Sequence, residues 1–244
     1  MNAERRAIVL AAGQGKRLEP LTDDTPKTLL EVGSQPVLDH ILDALEANGY
    51  EQVAVVTGFE HEQIEDHCAS REGLEIEYVH NEDYDTTNNI YSLWLAREYA
   101  TDGFTLVNSD TLFSATSLGE LQDADGSRLL VETDERLDDE EMQVAFGSEH
   151  IETIGKALDG GDTGVYLDDG DGEYIGVSKF TADDAERLFE HIEEFIERDE
   201  VGEWYEAAFD ELFEEREIGY VRVDEPWAEI DTPDDLEGAR EEWD

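Results

Sequence analysis

Lysine is nearly missing from this chain. Its 244 residues hold four copies, and 66 Asp plus Glu stand against 16 Lys plus Arg, for a formal net charge of −50. Repulsion at that density weakens a compact state wherever salt is dilute. The composition therefore reads as adaptation to a very salty cytoplasm, with recruitment of a basic partner as the lesser explanation. A basic stripe is missing as well, which disfavours nucleic acid as a ligand. Cysteine occurs once, at Cys68, so no intramolecular disulfide framework is possible. No paired CxxC or HExxH occurs, and His61-Glu62 followed by His67 has the wrong spacing for a zinc helix. No apolar run approaches the roughly 18 residues that span a bilayer. The stretch before Ala7 lacks the apolar segment of a signal peptide. A cytoplasmic protein without a membrane span is the expectation.

What remains is enough for a core: 39% of residues are apolar and 9% aromatic. The apolar run Ala7 to Ala12 suits a strand buried on both faces. Val37, Leu38, Ile41, Leu42 and Leu45 follow a helical period that Gly49 ends. Further strands are expected over 53–57, 74–79 and 104–107, with helices over 60–69 and 88–99. That alternation predicts a mostly parallel sheet covered on both faces. In the second half, 128–132, 143–147, 150–154 and 174–180 read as strands, 134–141 and 159–172 as acidic loops. Two amphipathic helices follow, one through Ala185 to Ile196 and one through Trp204 to Phe213. A strand over 218–223 and a terminal helix close the chain. The expected organisation is a single α/β domain over 1–244, Rossmann-like and three-layered with a mixed sheet. Residues 1–110 would form its nucleotide-binding half and 111–244 its acceptor-binding half.

The scarce cations cluster. Lys16, Arg17 and Lys27 surround Gly13 and Gly15, directly after the first strand. A Gly-rich turn flanked by cations is what a polyphosphate requires. The turn is not a Walker A loop, and Leu18 stands where a dinucleotide fingerprint needs a third glycine. Lys27, after Pro26, can act as a compact charge clamp on a reacting phosphate. Asp110 lies just past a buried strand, where open α/β sheets bind ligands. With Asp231 it would make a Mg²⁺ pair if the fold joins them, since Mg²⁺ takes one or two carboxylates plus phosphate oxygens. Alternation puts Glu229 on the same strand face as Asp231.

These residues carry a resemblance. Leu10-Ala-Ala-Gly-Gln-Gly-Lys-Arg-Leu18, with Thr25-Pro-Lys27, resembles the signature loop of the nucleotidyltransferases that make nucleoside-diphosphate sugars and CDP-alcohols. Asn88-Asn-Ile-Tyr-Ser92 and Trp227-Ala-Glu-Ile-Asp231 are similar to the branch containing the bacterial-type phosphocholine cytidylyltransferases and related inositol-phosphate and aminoethylphosphonate enzymes. The resemblance implies the nucleotide-diphospho-sugar transferase type of fold. It implies a nucleotide held by Leu10, Ala11, Ala12, Gly13, Gln14 and Gly15, with Lys16 and Arg17 near the β and γ phosphates. Lys27 would sit between the α phosphate and the acceptor phosphate, and Gly58, Asn88, Asn89 and Ser92 near base and ribose. Asp110 and Asp231 match the metal carboxylates, and Lys156 a cation near the acceptor phosphate. Asn108 departs from relatives with an acid there, which removes one possible ligand.

The implied reaction is Mg²⁺-dependent transfer of a nucleotidyl group, CMP by preference, from an NTP to a phosphorylated small molecule, with pyrophosphate released. For a quaternary ammonium on that acceptor, Tyr174 and Trp227 can offer aromatic faces with Glu229 as counter-charge. Trp204 and Tyr205 read first as helix core. Three rivals stand beside this reading: a sugar-1-phosphate nucleotidyltransferase using UTP, dTTP or GTP, a catalytically silent nucleotide-binding regulatory subunit, and a glycosyltransferase with a related sheet.

Overall fold

The computed structural model describes residues 5–133, 141–147, 150–156 and 171–243. The expected loops 134–141 and 159–172 fall almost entirely outside these.

One large sheet runs through both halves. Its strands are β1 (Arg6–Ala11), β2 (Gln52–Thr57), β3 (Glu75–His80), β4 (Phe104–Asn108), β5 (Arg128–Glu132), β6 (Met142–Phe146), β7 (Ile151–Lys156), β8 (Gly172–Phe180) and β9 (Gly219–Arg222). Their order is β7-β6-β8-β4-β1-β2-β3, with β5 on β8 and β9 on β5. The four strands of the first half are parallel, and β8 meets β4, β5 and β6 antiparallel. This is the α/β, mostly parallel mixed sheet expected from the sequence.

The apolar run of β1 is explained by its two faces. Ala7, Val9 and Ala11 point into one core cluster, Ile8 and Leu10 into the other. The first cluster is closed by α1 (Val37–Ala47), α2 (His61–Cys68), α4 (Ala115–Asp123) and α7 (Pro233–Glu242). The second is closed by α3 (Asn89–Leu95), α5 (Ala182–Glu197) and α6 (Glu206–Phe213). The result is three layers, helices on sheet on helices.

Three differences from the expectations have local causes. The helix expected over 88–99 breaks after Leu95, where a 3₁₀ turn takes over at Arg97–Ala100. Helix α4 is not anticipated by the sequence pattern, because only Leu118 and Leu121 mark its apolar face while Ser114 caps it. Trp204 is not core: α6 begins at Glu206, leaving Trp204 36% exposed while Tyr205 is fully buried.

A short ribbon brings the end of the chain back beside β4. Thr111–Leu112 pairs antiparallel with Ala228–Glu229, and the Ile230 N–H donates to Asp110 O at 2.9 Å. Helix α7 starts directly behind this ribbon with a reciprocal cap. The Asp235 N–H donates to the Thr232 hydroxyl, and the Thr232 N–H to the Asp235 carboxylate at 2.7 Å. Pro233 occupies the first helical turn, where its missing N–H costs nothing.

Candidate active site

A cavity of about 400 Å³ opens at the C-terminal ends of β1 and β4. Leu10, Ala12, Gly13 and Gly15 form one wall, and Asn108, Ser109 and Asp110 another. In parallel sheets, that edge is where ligands bind.

The two glycines of the turn after β1 stand in different surroundings. Gly15 adopts φ +70°, and a Cβ there would meet the Lys27 stem at 2.9 Å. Gly15 thus gives Lys27 its path into the cavity. A Cβ on Gly13 would meet nothing within 4 Å, so that residue leaves open room on the cavity wall. The Thr22 hydroxyl secures the turn by donating to Gly15 O at 2.8 Å.

Lys27 stands at the centre. Its Nζ lies 2.8 Å from Asp110 Oδ2 and also donates to Asp231 Oδ1. Burial alone would push the Lys27 ammonium down, but the two carboxylates prevail and hold its pKa up at about 12. Arg17 donates to the other oxygen of Asp231. Burial would raise the Asp231 carboxyl, yet Lys27, then Arg17 and Lys156, hold it below the usual range. The ribbon and the α7 cap explain why Asp231 meets Asp110. Ile230 is tied to the Asp110 carbonyl, and the Asp231 N–H donates to Asp235 at 3.1 Å.

Glu229 lines the same cavity, and one of its carboxylate oxygens lies with one from each of Asp110 and Asp231, all within 4.8 Å of one another. Removal from water, then the charges of Asp110 and Asp231, push its pKa up to about 8. This cluster fits a hard divalent cation. All donors are oxygens, and Asp110 Oδ1 is buried without a hydrogen-bond partner among the described residues.

The Asn88 segment is held by internal bonds. The Asn88 side chain accepts from the Asn89 N–H at 2.8 Å and donates to Gly202 O at 3.2 Å. Asn89 Oδ1 accepts from the Tyr205 N–H at 2.8 Å, and Ser92 Oγ from Asn81 at 3.0 Å. All three residues still line the cavity. Gly58 lies outside it. A Cβ there would collide with Ala12 O and Tyr84 Cβ, both at 2.7 Å, so its space is taken by the chain itself. Lys16 is exposed and, like Ala11 and Gln14, outside the lining.

The far wall holds Lys156, Tyr174, Trp204 and Glu206. Lys156 Nζ sits 4.3 Å above the Trp204 ring, a contact with no advance sign in the sequence. Glu206 is also unanticipated. Burial pushes its pKa up to about 7, and its Oε2 is buried without a partner among the described residues. Tyr174 spends its hydroxyl on Ser178 at 3.1 Å. Tyr205 donates to Asn108 Oδ1 at 2.9 Å, which fixes Asn108 behind Asp110. Trp227 faces a neighbouring surface hollow beside Asp231, its Nε1 donating to Glu132 at 3.3 Å.

The profile of a family described as the MobA-like NTP transferase domain matches residues 7–199. The choline-phosphate cytidylyltransferase of Streptococcus pneumoniae is 33% identical over 108 residues, 44% of this chain and 46% of that protein. The UTP–glucose-1-phosphate uridylyltransferase of Haloferax volcanii is 36% identical over 117 residues, 48% of this chain and 47% of that protein. The matched segments thus span about half the length of these curated relatives. Among solved structures, a CTP:phosphocholine cytidylyltransferase from Streptococcus pneumoniae superposes with a TM-score of 0.79 at 23% identity, covering 99% of this chain and 100% of that one. It shares the fold. No helix among the described residues is long and apolar enough to cross a membrane.

Proposed function

The chain belongs to the MobA-like NTP transferase domain family, and from that premise we propose that it is a nucleotidyltransferase. It moves CMP from CTP to a phosphate- or phosphonate-bearing small molecule and releases pyrophosphate. Residues 1–244 act as one unit, with 1–110 serving the nucleotide and 111–244 the acceptor.

The observation that carries this reading is the convergence of Lys27 with Asp110 and Asp231 beside the Gly13–Gly15 turn. An oxygen of the acceptor phosphate attacks the α phosphorus in line. The bond from that phosphorus to the β-phosphate oxygen breaks, and its electron pair leaves with pyrophosphate. The attacking oxygen is already anionic near neutral pH, so no side chain has to remove a proton. The chain's work is positioning and neutralising charge. Lys27 exchanges a carboxylate for the α and acceptor phosphates, and Arg17 leaves Asp231 for the outer phosphates. Lys156, backed by Trp204, meets the acceptor phosphate. Asp110, Glu229 and Asp231 would hold Mg²⁺, which when bound supplies positive charge to the phosphate oxygens. The composition fits catalysis in a salty cytoplasm.

The uridylyltransferase relative, 36% identical over 117 residues, supports a second reading: UTP with a sugar 1-phosphate. One experiment tests both. Pyrophosphate release is measured in high salt with Mg²⁺ across four NTPs and a panel of phosphocholine, inositol phosphate, 2-aminoethylphosphonate and sugar 1-phosphates. Release with CTP and a non-sugar acceptor is expected. Release only with UTP and a sugar phosphate would establish the second reading. Silence with every pair would leave a nucleotide-binding regulatory role.

A further inference from the structure

Away from the cavity, α5 and α6 pack side by side and bring together His191, Glu194 and Glu211. One donor atom from each lies within 4.8 Å of the others. His191 and Glu194 are three residues apart on α5 and so share a face; Glu211 reaches them from α6. We infer that this cluster is a second cation site, built for a borderline divalent metal such as Zn²⁺.

The histidine makes the case. His191 is 95% buried, being 5% exposed. Its Nδ1 lies 3.0 Å from Glu211 Oε2. Without a metal the Nδ1–H tautomer donates to that carboxylate, and loss of this proton frees a ring lone pair aimed at the cluster. The other ring nitrogen, Nε2, is buried with no hydrogen-bond partner among the described residues. The nearest carboxylate to it is Glu215, 3.8 Å away. With Nδ1 ligating, Nε2 carries the proton on the side of Glu215, whose charge favours that tautomer across 3.8 Å without a direct hydrogen bond. One imidazole and two carboxylates form a set that Zn²⁺ accepts, with water completing the coordination.

The surrounding charges do not block the site. Arg198 is the nearest guanidinium, 3.7 Å from Glu194 and 3.8 Å from Glu211. Those contacts are too long to be hydrogen bonds, and Arg198 spends its Nε on Glu200 at 2.8 Å. Arg187 is bound to Glu190 and Glu215. Carboxylates therefore outnumber the guanidiniums at this spot. A cation held here would clip α5 to α6, the helix whose first residue, Glu206, lines the main cavity.

The test separates the two cation clusters by donor type. The full chain, stripped with EDTA, is titrated with Zn²⁺ by calorimetry in high salt under excess Mg²⁺, which occupies all-oxygen sites. One equivalent of Zn²⁺ is expected. Affinity should fall more than about 100-fold in His191→Ala and in Glu211→Gln, because removing a mere outer partner already costs about 10–100-fold. Glu215→Gln should show that smaller loss, and Asp231→Asn none. Arg198→Ala should bind as tightly as wild type or more so. If His191→Ala fails to fold, Glu211→Gln, which keeps the histidine and the side-chain volume, decides the matter. No Zn²⁺ uptake by the wild type, or uptake unchanged in Glu211→Gln, overturns the assignment.

Discussion

Two of the four lysines sit at opposite ends of the same sheet, and their environments push them in opposite directions. Lys27, at the C-terminal end, lies between the carboxylates of Asp110 and Asp231, which hold its pKa up at about 12. Lys179, on β8 near the other end, donates to the carbonyls of Gln122 and Ala124 at 3.2 and 2.5 Å, where α4 ends. Burial pushes its ammonium down, and Arg128 adds to the effect. Carbonyl dipoles at a helix end welcome a cation but do not neutralise it. One lysine is matched by full charges that, on the proposed reading, substrate phosphates replace. The other is matched by backbone that nothing replaces. The first is an arrangement for exchanging partners, the second for holding a helix end in place.

Substitution should separate the two. Lys27→Ala is expected to lower kcat by about 10²–10³-fold, the range seen when one preorganised charge contact is removed. Steady-state pyrophosphate release measures it, and near-normal turnover would remove Lys27 from the proposed chemistry. Lys179→Met should leave kcat intact and lower the unfolding free energy by about 2 kcal/mol, since two carbonyls lose their donor. Denaturant unfolding in constant high salt checks this.

The pH dependence should divide the same way. Lys27 titrates higher in the folded chain than when free, so its contribution is fully present below about 10.5 and lost as pH rises to about 12. A shift of that size corresponds to about 2 kcal/mol. Lys179 is shifted down, so its contribution has the opposite sign: stability rises as pH climbs through its folded value toward the ordinary lysine range. Comparing wild type, Lys27→Met and Lys179→Met between pH 9 and 12 isolates each slope; identical slopes would erase the contrast. The smallest effect is expected from Thr232→Ala. Loss of the cap should cost about 1 kcal/mol and, through Asp235 and Asp231, weaken Mg²⁺ activation more than it weakens nucleotide binding. Equal effects on both would make the cap purely structural.

Much of the fold is legible in the sequence because burial on two faces leaves a plain mark. β1 is apolar throughout since each neighbouring residue enters a different core. Helix α4 leaves little mark, with two leucines facing inward and a serine, Ser117, as the third buried residue. The candidate site is legible as residue types and less so as geometry. Scarcity draws attention to Lys27, and the end of a strand to Asp110. The joining of the latter to Asp231 depends on a ribbon of two residues per strand, too short to leave a pattern. Alternation puts Glu229 on the face of Asp231 but does not say that Asp110 stands opposite both. Trp204 reads as core because it continues an apolar stripe, but the helix begins after it and its ring is left for Lys156. Glu206 carries no signal at all in a chain where acid is commonplace.

The bond between Lys27 and Asp231 joins positions 204 residues apart. During synthesis, the glycine turn, Lys27 and Asp110 all emerge long before Asp231 does. A nascent chain that has released β1 to β4 and the turn after β1 still lacks Glu229 and Asp231, the carboxylates that complete the cluster. On the proposed reading, chemistry has to wait for the ribbon to add Glu229 and for α7 to cap behind Asp231. A ribosome-bound intermediate that already binds nucleotide would still be unable to spend it.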